Sequence, residues 1–337
     1  STRKESSAAS DVYKRQVPVD EGGTGDAGRS EPLDEAGGEG GSVTYLPEAL
    51  DDDDKSLEQL PGLDWRSLIT PGTFLDAYMQ ACTVDDVPEE YHFWNGLLAL
   101  GLAVGRDVTL DDFHPVLGNL FVCILGRTGV GKSRATSHLS RLLDAAIPED
   151  RTDPNSRGAR TLATAGSAEV LIKNFSKPHW DTPTTPGGKP ILTGYGPVRG
   201  LVEYSELSGL VGRAGRTGST LKPTLMEFFD GRPVVSNTSL SGGEHVAHEP
   251  FANLITSTQP KALKTLLDQG DADSGFLNRW IFVTGIEKQR TAIGGARINL
   301  DQAVIKLREI WNWAEPDQIV PEDIVVEWGE ESAAVFT

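Results

Sequence analysis

Six apolar residues, Leu120–Leu125 (LFVCIL), run directly into Gly126-Arg127-Thr128-Gly129-Val130-Gly131-Lys132-Ser133. Beyond that loop, Ala135, Leu139, Leu142, Leu143 and Ala146 recur at helical spacing. A short unbroken run of bulky and β-branched residues predicts a strand buried on both faces, as in a parallel sheet. The recurrence after Lys132 predicts an amphipathic helix over Lys132–Ala146. Strand, glycine loop and helix together open a βαβ unit. This constrains the chain to an α/β class in which helices cover a parallel sheet.

The loop itself fits G-x-x-x-x-G-K-[ST], and the spacing has a mechanical reason. Its glycines let the backbone wrap with N–H groups pointing inward. Those donors and the positive end of the following helix can hold phosphates. Lys132 adds a point charge for the β- and γ-phosphates, and the Ser133 hydroxyl is a Mg²⁺ ligand. The expectation is a P-loop that binds ATP with Mg²⁺ through Gly126, Arg127, Thr128, Gly129, Val130, Gly131, Lys132 and Ser133. No Asn-Lys-x-Asp motif is present to read guanine.

Hydrolysis needs a carboxylate on the Mg²⁺ side and another that orients water. The candidate segment is Gly200–Leu207 (GLVEYSEL), read as a strand and its exit. Glu206 is expected at the strand tip, polarising the water. Ser205 stands where many P-loop ATPases place an aspartate, and would act on Mg²⁺ through a water molecule. Residues 203 and 205 of a strand share a face and 206 takes the other, so Glu203 is the alternative acid on the metal side. Solvated carboxylates at a strand edge would look the same.

A third strand is read at Asn253–Thr258 (NLITST), and Gln259 after it can bond a γ-phosphate or the attacking water. A fourth, Ile281–Thr284 (IFVT), follows Arg279, which can stabilise transition-state charge in its own subunit or a neighbour's. The plain alternatives are an ordinary polar residue at 259 and an arginine stacked on Trp280. Gly212–Lys222 reads as a basic, glycine-rich loop able to meet phosphates, or simply to stay solvated. His245 and His248 lack a third ligand nearby, so no metal site is expected there.

Further helices are predicted within 73–104, interrupted at Pro88, from Ser167 as N-cap to about Phe175, at Leu221–Phe229, and at 300–314. Residues 176–199 hold five prolines and four glycines and read as a loop or hairpin. Val108–Leu110 reads as a short strand.

Charge is distributed unevenly. Of the net charge of −18, residues 1–60 hold 15 acids against 6 bases and residues 301–337 hold 9 against 2, leaving the middle close to neutral. The acidic balance therefore neither supports nor excludes a nucleic-acid partner for the body. Residues 1–60 are poor in apolar residues and read as a disordered tail. Ser6–Gln16 resembles translated sequencing-adapter sequence, so 1–16 is set aside as an assembly scar. Asp51–Lys55 matches an enterokinase cleavage site and reads more simply as a solvated acidic run. Two cysteines indicate no disulfide framework, Cys123 reading as a small buried hydrophobe. With no disulfide framework indicated a cytoplasmic setting is expected, and no apolar run reaches membrane-spanning length, so no membrane partner is expected. The organisation read from these patterns is a tail at 1–60, a helical lead-in at 61–110, a P-loop core at 111–290 and a helical segment at 291–337 that is expected to be cut short.

Taken in order, GRTGVGKS, GSAEVLI, VEYSELSGL, TLMEFFDG, NLITSTQP and GFLNRWIF resemble a family of largely uncharacterised P-loop proteins of phages, plasmids and integrative elements, often fused to or encoded beside primases. The similarity covers about residues 70–290. It implies a RecA-like or AAA+-like ATPase core with an extra strand between the P-loop strand and the acidic strand, and a helicase or replication role. By that likeness Glu206 matches the catalytic glutamate, Gln259 the sensor position and Arg279 the finger or second-sensor arginine. It also implies a homo-oligomer, a hexamer included, single-stranded or duplex DNA as partner, and a possible primase partner. Ser205 departs from the family's Asp-Glu pair, and no primase motif is present. The competing expectation is a nucleotide-switched module that recruits a replication partner with little hydrolysis.

Overall fold

The computed structural model describes residues 65–110, 116–149, 156, 158–163, 166–181, 191–239, 243–267, 269–288, 297–314 and 324–326. All belong to one unit, Ala49–Thr337. The unit Ser1–Glu48, and with it the tail read at 1–60, lies outside the described residues.

After a 3-10 turn at Trp65–Leu68, α1 (Phe74–Cys82) begins at Thr73, whose hydroxyl accepts the Asp76 N–H. α2 (Glu89–Val104) follows Pro88 and is buried on most faces, as its apolar pattern requires. β1 (Val108–Leu110) and β2 (Val116–Leu117) pair antiparallel. β3 (Phe121–Leu125) is wholly buried and leads through the glycine loop into α3 (Lys132–Ala146). Then come β4 (Arg160–Ala163) and α4 (Ala168–Asn174), the latter capped by Ser167 through its bond from the Val170 N–H. The proline-rich stretch forms a hairpin of β5 (Pro178–Asp181) and β6 (Ile191–Tyr195). β7 (Arg199–Glu203) is followed by α5 (Leu207–Ala214) and α6 (Leu221–Phe229). A second hairpin, β8 (Val234–Ser239) and β9 (Gly243–His248), precedes the fully buried β10 (Phe251–Thr258). α7 (Pro260–Leu266), α8 (Gln269–Asp273), a 3-10 turn at Leu277–Arg279, β11 (Trp280–Val283), α9 (Asp301–Ala314) and β12 (Ile324–Val326) complete the order.

The fold is α/β, built on a five-stranded parallel sheet in the order β11-β3-β10-β7-β4. The pleat divides each strand between two cores. Val122, Ile124, Leu201, Phe251, Ile255 and Val283 pack with α1, α2, α3 and α9 on one face. Phe121, Cys123, Val202, Ala252, Leu254 and Trp280 pack with α4, α5 and α6 on the other. The lead-in helices and the C-terminal helix thus belong to the same core as α3, and β12 pairs with β1 in a small separate sheet. Among the described residues, the helices before 110 and after 297 share one core with the central sheet.

Asn253 ties the layers together. It is completely buried on β10, its Oδ1 accepts the Leu120 N–H at 2.7 Å, and its Nδ2 donates to the Leu98 carbonyl of α2 at 2.7 Å. Gly101 lets α2 approach that closely, because a Cβ there would lie 2.4 Å from the Gly118 carbonyl oxygen. Among the described residues no helix is long and apolar enough to cross a membrane. Cys82 and Cys123 are both buried free thiols.

Candidate functional site

Parallel strands bring their C-terminal ends to one edge, and three of the sequence-read positions meet there. Leu125 pairs with Thr258, and Ile255 pairs with Glu203, so residue 206 is level with Thr258 when the β7 register is extended. The contacts agree. The Gly126 N–H donates to the Thr258 carbonyl (3.1 Å), and the Thr258 hydroxyl donates to Glu206 Oε1 (3.4 Å). Gln259 Nε2 donates to Thr128 Oγ1 at the loop crest (3.1 Å).

The loop depends on its glycines at two positions, Gly129 at φ +86° and Gly131 at φ +99°, both in the left-handed region. Lys132 folds over the loop, donating through Nζ to the carbonyls of Gly126 (2.6 Å) and Arg127 (3.1 Å). α3 follows Gly131, which provides no side-chain cap, and has no acid in its first turn. Its leading N–H groups and the positive end of its dipole are therefore open to an anion. Ser133 is exposed beside them, and Val130 is buried.

On the acidic side, Glu206 is exposed at the residue before α5, in extended backbone (φ −148°), with no capping bond. Ser205 is also exposed, and its carbonyl accepts the Ser257 hydroxyl (3.1 Å). Glu203 is half-buried at the end of β7, and burial raises its carboxyl above the usual range. Glu203 and Ser205 thus offer two different oxygens near the strand end, one partly desolvated and one wet.

Arg279 is not among the residues brought together. It precedes β11, whose first residue Trp280 pairs with Phe121. That level is four residues from Leu125, about 13 Å along the strand, at the opposite edge of the sheet. There its guanidinium grips Asp230 with two bonds of 2.9 Å, donates to the Gly275 carbonyl (2.8 Å) and lies over the Phe229 ring rather than on Trp280. A role in this chain's own site does not fit that position.

The stretch expected as one basic loop, Gly212–Lys222, is helical at both ends, α5 running to Ala214 and α6 starting at Leu221. Its Lys222 is paired with the buried Asp271. Among the described residues no group of His, Cys, Asp and Glu has metal-site geometry, and His245 lies 3.7 Å from Glu169.

Several supporting residues escaped sequence reasoning. Tyr91 donates its hydroxyl to the Leu125 carbonyl (2.8 Å), and a Cβ at Gly126 would meet that hydroxyl at 2.5 Å. Val87 closes on Gly131 from the segment between α1 and α2. Two residues earlier in that segment, the buried Asp85 accepts from Arg134 Nη1 (2.8 Å) and pairs with His138 Nε2 (3.1 Å), both on α3, while His92 Nε2 stands at 3.6 Å. The four-residue spacing of Arg134 and His138 is the one local signal of this cluster. Their shared partner is 49 residues from Arg134 and carries none.

Compared with known proteins, the chain matches no protein-family model and no curated sequence.

Proposed function

We propose that the chain binds ATP with Mg²⁺ on the Gly126–Ser133 loop and hydrolyses it, as a RecA-like or AAA+-like motor acting on DNA in the replication of a mobile element. The observation that carries this reading is the convergence of loop, Glu206 and Gln259 on adjacent strand ends of a parallel sheet. The strand order supports it too, because β10 lies between the loop strand β3 and the acidic strand β7. In this reading the open N–H groups at the start of α3 and Lys132 hold the phosphates. Lys132 gives up its loop carbonyls when it does so. Ser133 is the metal ligand, with Ser205 through water or Glu203 on the same side. Bound Mg²⁺ supplies neutralisation of charge on the β- and γ-phosphates. Glu206 orients and polarises water, and Gln259 reports on the γ-phosphate position through its present contact with Thr128. Arg279 acts on the site of a neighbouring subunit in a homo-oligomer.

A second reading has its own observation. No aspartate stands at 205, and Glu203 is pushed toward its neutral form by burial. A nucleotide-switched module that recruits a partner such as a primase, with little turnover, would be built this way.

The deciding experiment measures ATP binding and hydrolysis with and without single-stranded DNA, in the wild type, Lys132→Ala and Glu206→Gln. The motor reading expects Lys132→Ala to weaken ATP binding about 100-fold. It expects Glu206→Gln to bind ATP normally and to lose turnover. Binding through Lys132 without turnover in any condition supports the switch. ATP binding indifferent to Lys132 removes both readings.

A further inference from the structure

The chain carries a net charge of −18, yet one face of the sheet's C-terminal edge runs against that balance. α5, the turn after it and α7 span Leu207–Thr220 and Pro260–Leu266 and contain Arg213, Arg216, Lys261 and Lys264 with no carboxylate. The two helices pack against each other. α5 turns Leu207, Leu210 and Ala214 inward, and α7 turns Leu263 and Leu266 inward, which leaves Lys261 and Lys264 facing outward, one turn apart. Arg216 is exposed as well, and neither it nor Lys264 forms an ion pair among the described residues. Arg213 is half-buried, with Nη1 unpaired.

The same two helices begin at the candidate catalytic residues. Glu206 is the residue before α5 and Gln259 the residue before α7. The Thr258 hydroxyl, one residue before Gln259, bonds Glu206 at 3.4 Å, so the two helix starts are already linked. Whatever presses on the outer face of this helix pair bears on the side chains that face the nucleotide loop.

We infer that α5, its following turn and α7 form a docking surface for a nucleic-acid phosphodiester backbone, and that occupancy of this surface adjusts Glu206 and Gln259 and so couples nucleic-acid binding to the nucleotide site. The coupling half rests on the ATPase reading above; the docking half does not. A group of cations with no carboxylate in the same segments suits a flexible chain of phosphates. The surface carries no aromatic side chain for bases to stack on, so recognition is of backbone and indifferent to sequence.

The test uses the full chain and a fluorescently labelled single-stranded oligonucleotide, with anisotropy read across a salt series. The probes of the surface are Arg216→Ala with Lys264→Ala, and the charge reversal Arg216→Glu with Lys264→Glu. Binding is expected to fall steeply with salt, and removing two phosphate contacts lowers the logarithmic salt slope by about 1.4. The reversal weakens binding by more than about tenfold. ATP affinity and basal turnover stay as in the wild type in both variants, while stimulation of turnover by the oligonucleotide is lost. Oligonucleotide binding that both variants leave unchanged overturns the surface. Binding of poly-glutamate in place of the oligonucleotide also overturns it, and identifies a dock for an acidic polypeptide. Sensitive oligonucleotide binding in a protein that binds no ATP removes the ATPase reading and the coupling but leaves the surface standing. Sensitive binding with unstimulated turnover removes the coupling alone.

Discussion

The two edges of the five-stranded sheet are built from the same strands and are opposite in how they treat polar side chains. At the N-terminal edge, Asn253 fills both its amide groups with backbone partners, Arg199 donates to the carbonyls of Leu102 and Ala103 and to Asp107, and Arg279 holds Asp230 with a two-pronged bond. At the C-terminal edge, Glu206 has one long contact, Gln259 one contact across the loop, and Lys132 only loop carbonyls that any phosphate would outcompete. Polar groups with committed partners stabilise a fold and are poor ligands. Polar groups that converge without committed partners add little stability and are available for chemistry. Substitutions at the first edge should therefore lower stability and spare nucleotide binding, and those at the second should do the reverse, as Lys132→Ala is expected to do.

The strongest attempt to break this division is Asn253→Leu. It removes two buried bonds and leaves the Leu120 N–H without a partner, while the Leu98 carbonyl keeps only its bond within α2, next to a helix approach made close by Gly101. A loss of about 2–3 kcal/mol in unfolding free energy is expected, since a buried orphan costs about 1–3 kcal/mol and the second lost bond adds to it. Urea denaturation reads it directly. The protein that remains folded should bind ATP with its wild-type affinity. A stability change below about 1 kcal/mol would mean that the fastening of that edge is only apparent.

The next expected effect lies beneath the glycine loop, where the division is least clean. Asp85 links α3 to the segment that carries Val87 under Gly131. Burial alone would raise its carboxyl, but His92 and Arg134 outweigh burial and hold it well below the usual range. Burial lowers His138 below the usual imidazole range, against the pull of Asp85. Both shifts mean that the unfolded chain takes up protons before the folded one does. Stability from His138 therefore falls as pH drops below about 6.5, and stability from Asp85 falls as pH drops below about 4. Asp85→Asn is expected to cost about 2 kcal/mol at pH 7, discounted because Arg134 is half exposed. It should also flatten the step below about pH 4. Denaturation midpoints at about pH 8, 5.5 and 3.5 separate the two steps, and a variant that keeps the lower step shows another carboxylate to be responsible.

What the sequence made legible follows the same division. β3, α3, β7, β10 and α6 were readable because each carries its own periodicity or an apolar run, and Lys132–Ala146 and Leu221–Phe229 match the helices residue for residue. The convergence of Glu206 and Gln259 on the loop was legible because strand ends in a parallel sheet meet at one edge. The edge strand β4 (Arg160–Ala163) and the polar hairpin of β8 and β9 lack buried runs and gave no signal. α5 was hidden by its two glycines and by the basic turn that follows it. The contacts of Tyr91, Asp85 and Asn253 join residues 34, 49 and 133 or more positions apart, which no local pattern encodes. The position of Arg279 depended on register, because a residue at the start of a strand and one at its end look equally close to it in sequence.

Tyr91→Phe sharpens the comparison at a smaller scale. It keeps the ring that packs under Gly126 and removes one hydrogen bond to the Leu125 carbonyl. About 1 kcal/mol of stability should be lost, the usual contribution of a single buried bond. ATP should bind several-fold more weakly, because the turn from β3 into the loop loses its tyrosine anchor. Equal ATP affinity in a destabilised protein would show Tyr91 to belong wholly to the scaffold.

The smallest expected effect separates the two edges most cleanly. Arg279→Lys keeps the charge and loses the fork that holds Asp230 by two bonds. Asp230 is well exposed and Arg279 partly so, at 42% and 20% of the side chain. The pair is therefore screened, and its loss should cost only about 0.5–1 kcal/mol. Its own chain's loop lies at the other end of the strand, so ATP affinity should stay within about twofold of the wild type, a difference of less than about 0.5 kcal/mol. Turnover should then depend on assembly. In protein dilute enough to be monomeric, wild type and variant should hydrolyse ATP alike, and any deficit in the variant should emerge only as concentration drives subunits together. Mixing the variant with Lys132→Ala tests the same point without relying on concentration, because an arginine acting across an interface restores turnover when one subunit supplies the side chain and the other the loop. A loss of ATP affinity of about tenfold, or about 1.4 kcal/mol, in the Arg279→Lys monomer would place Arg279 at its own site, and the separation of a fastened edge from a reactive one would have to be abandoned.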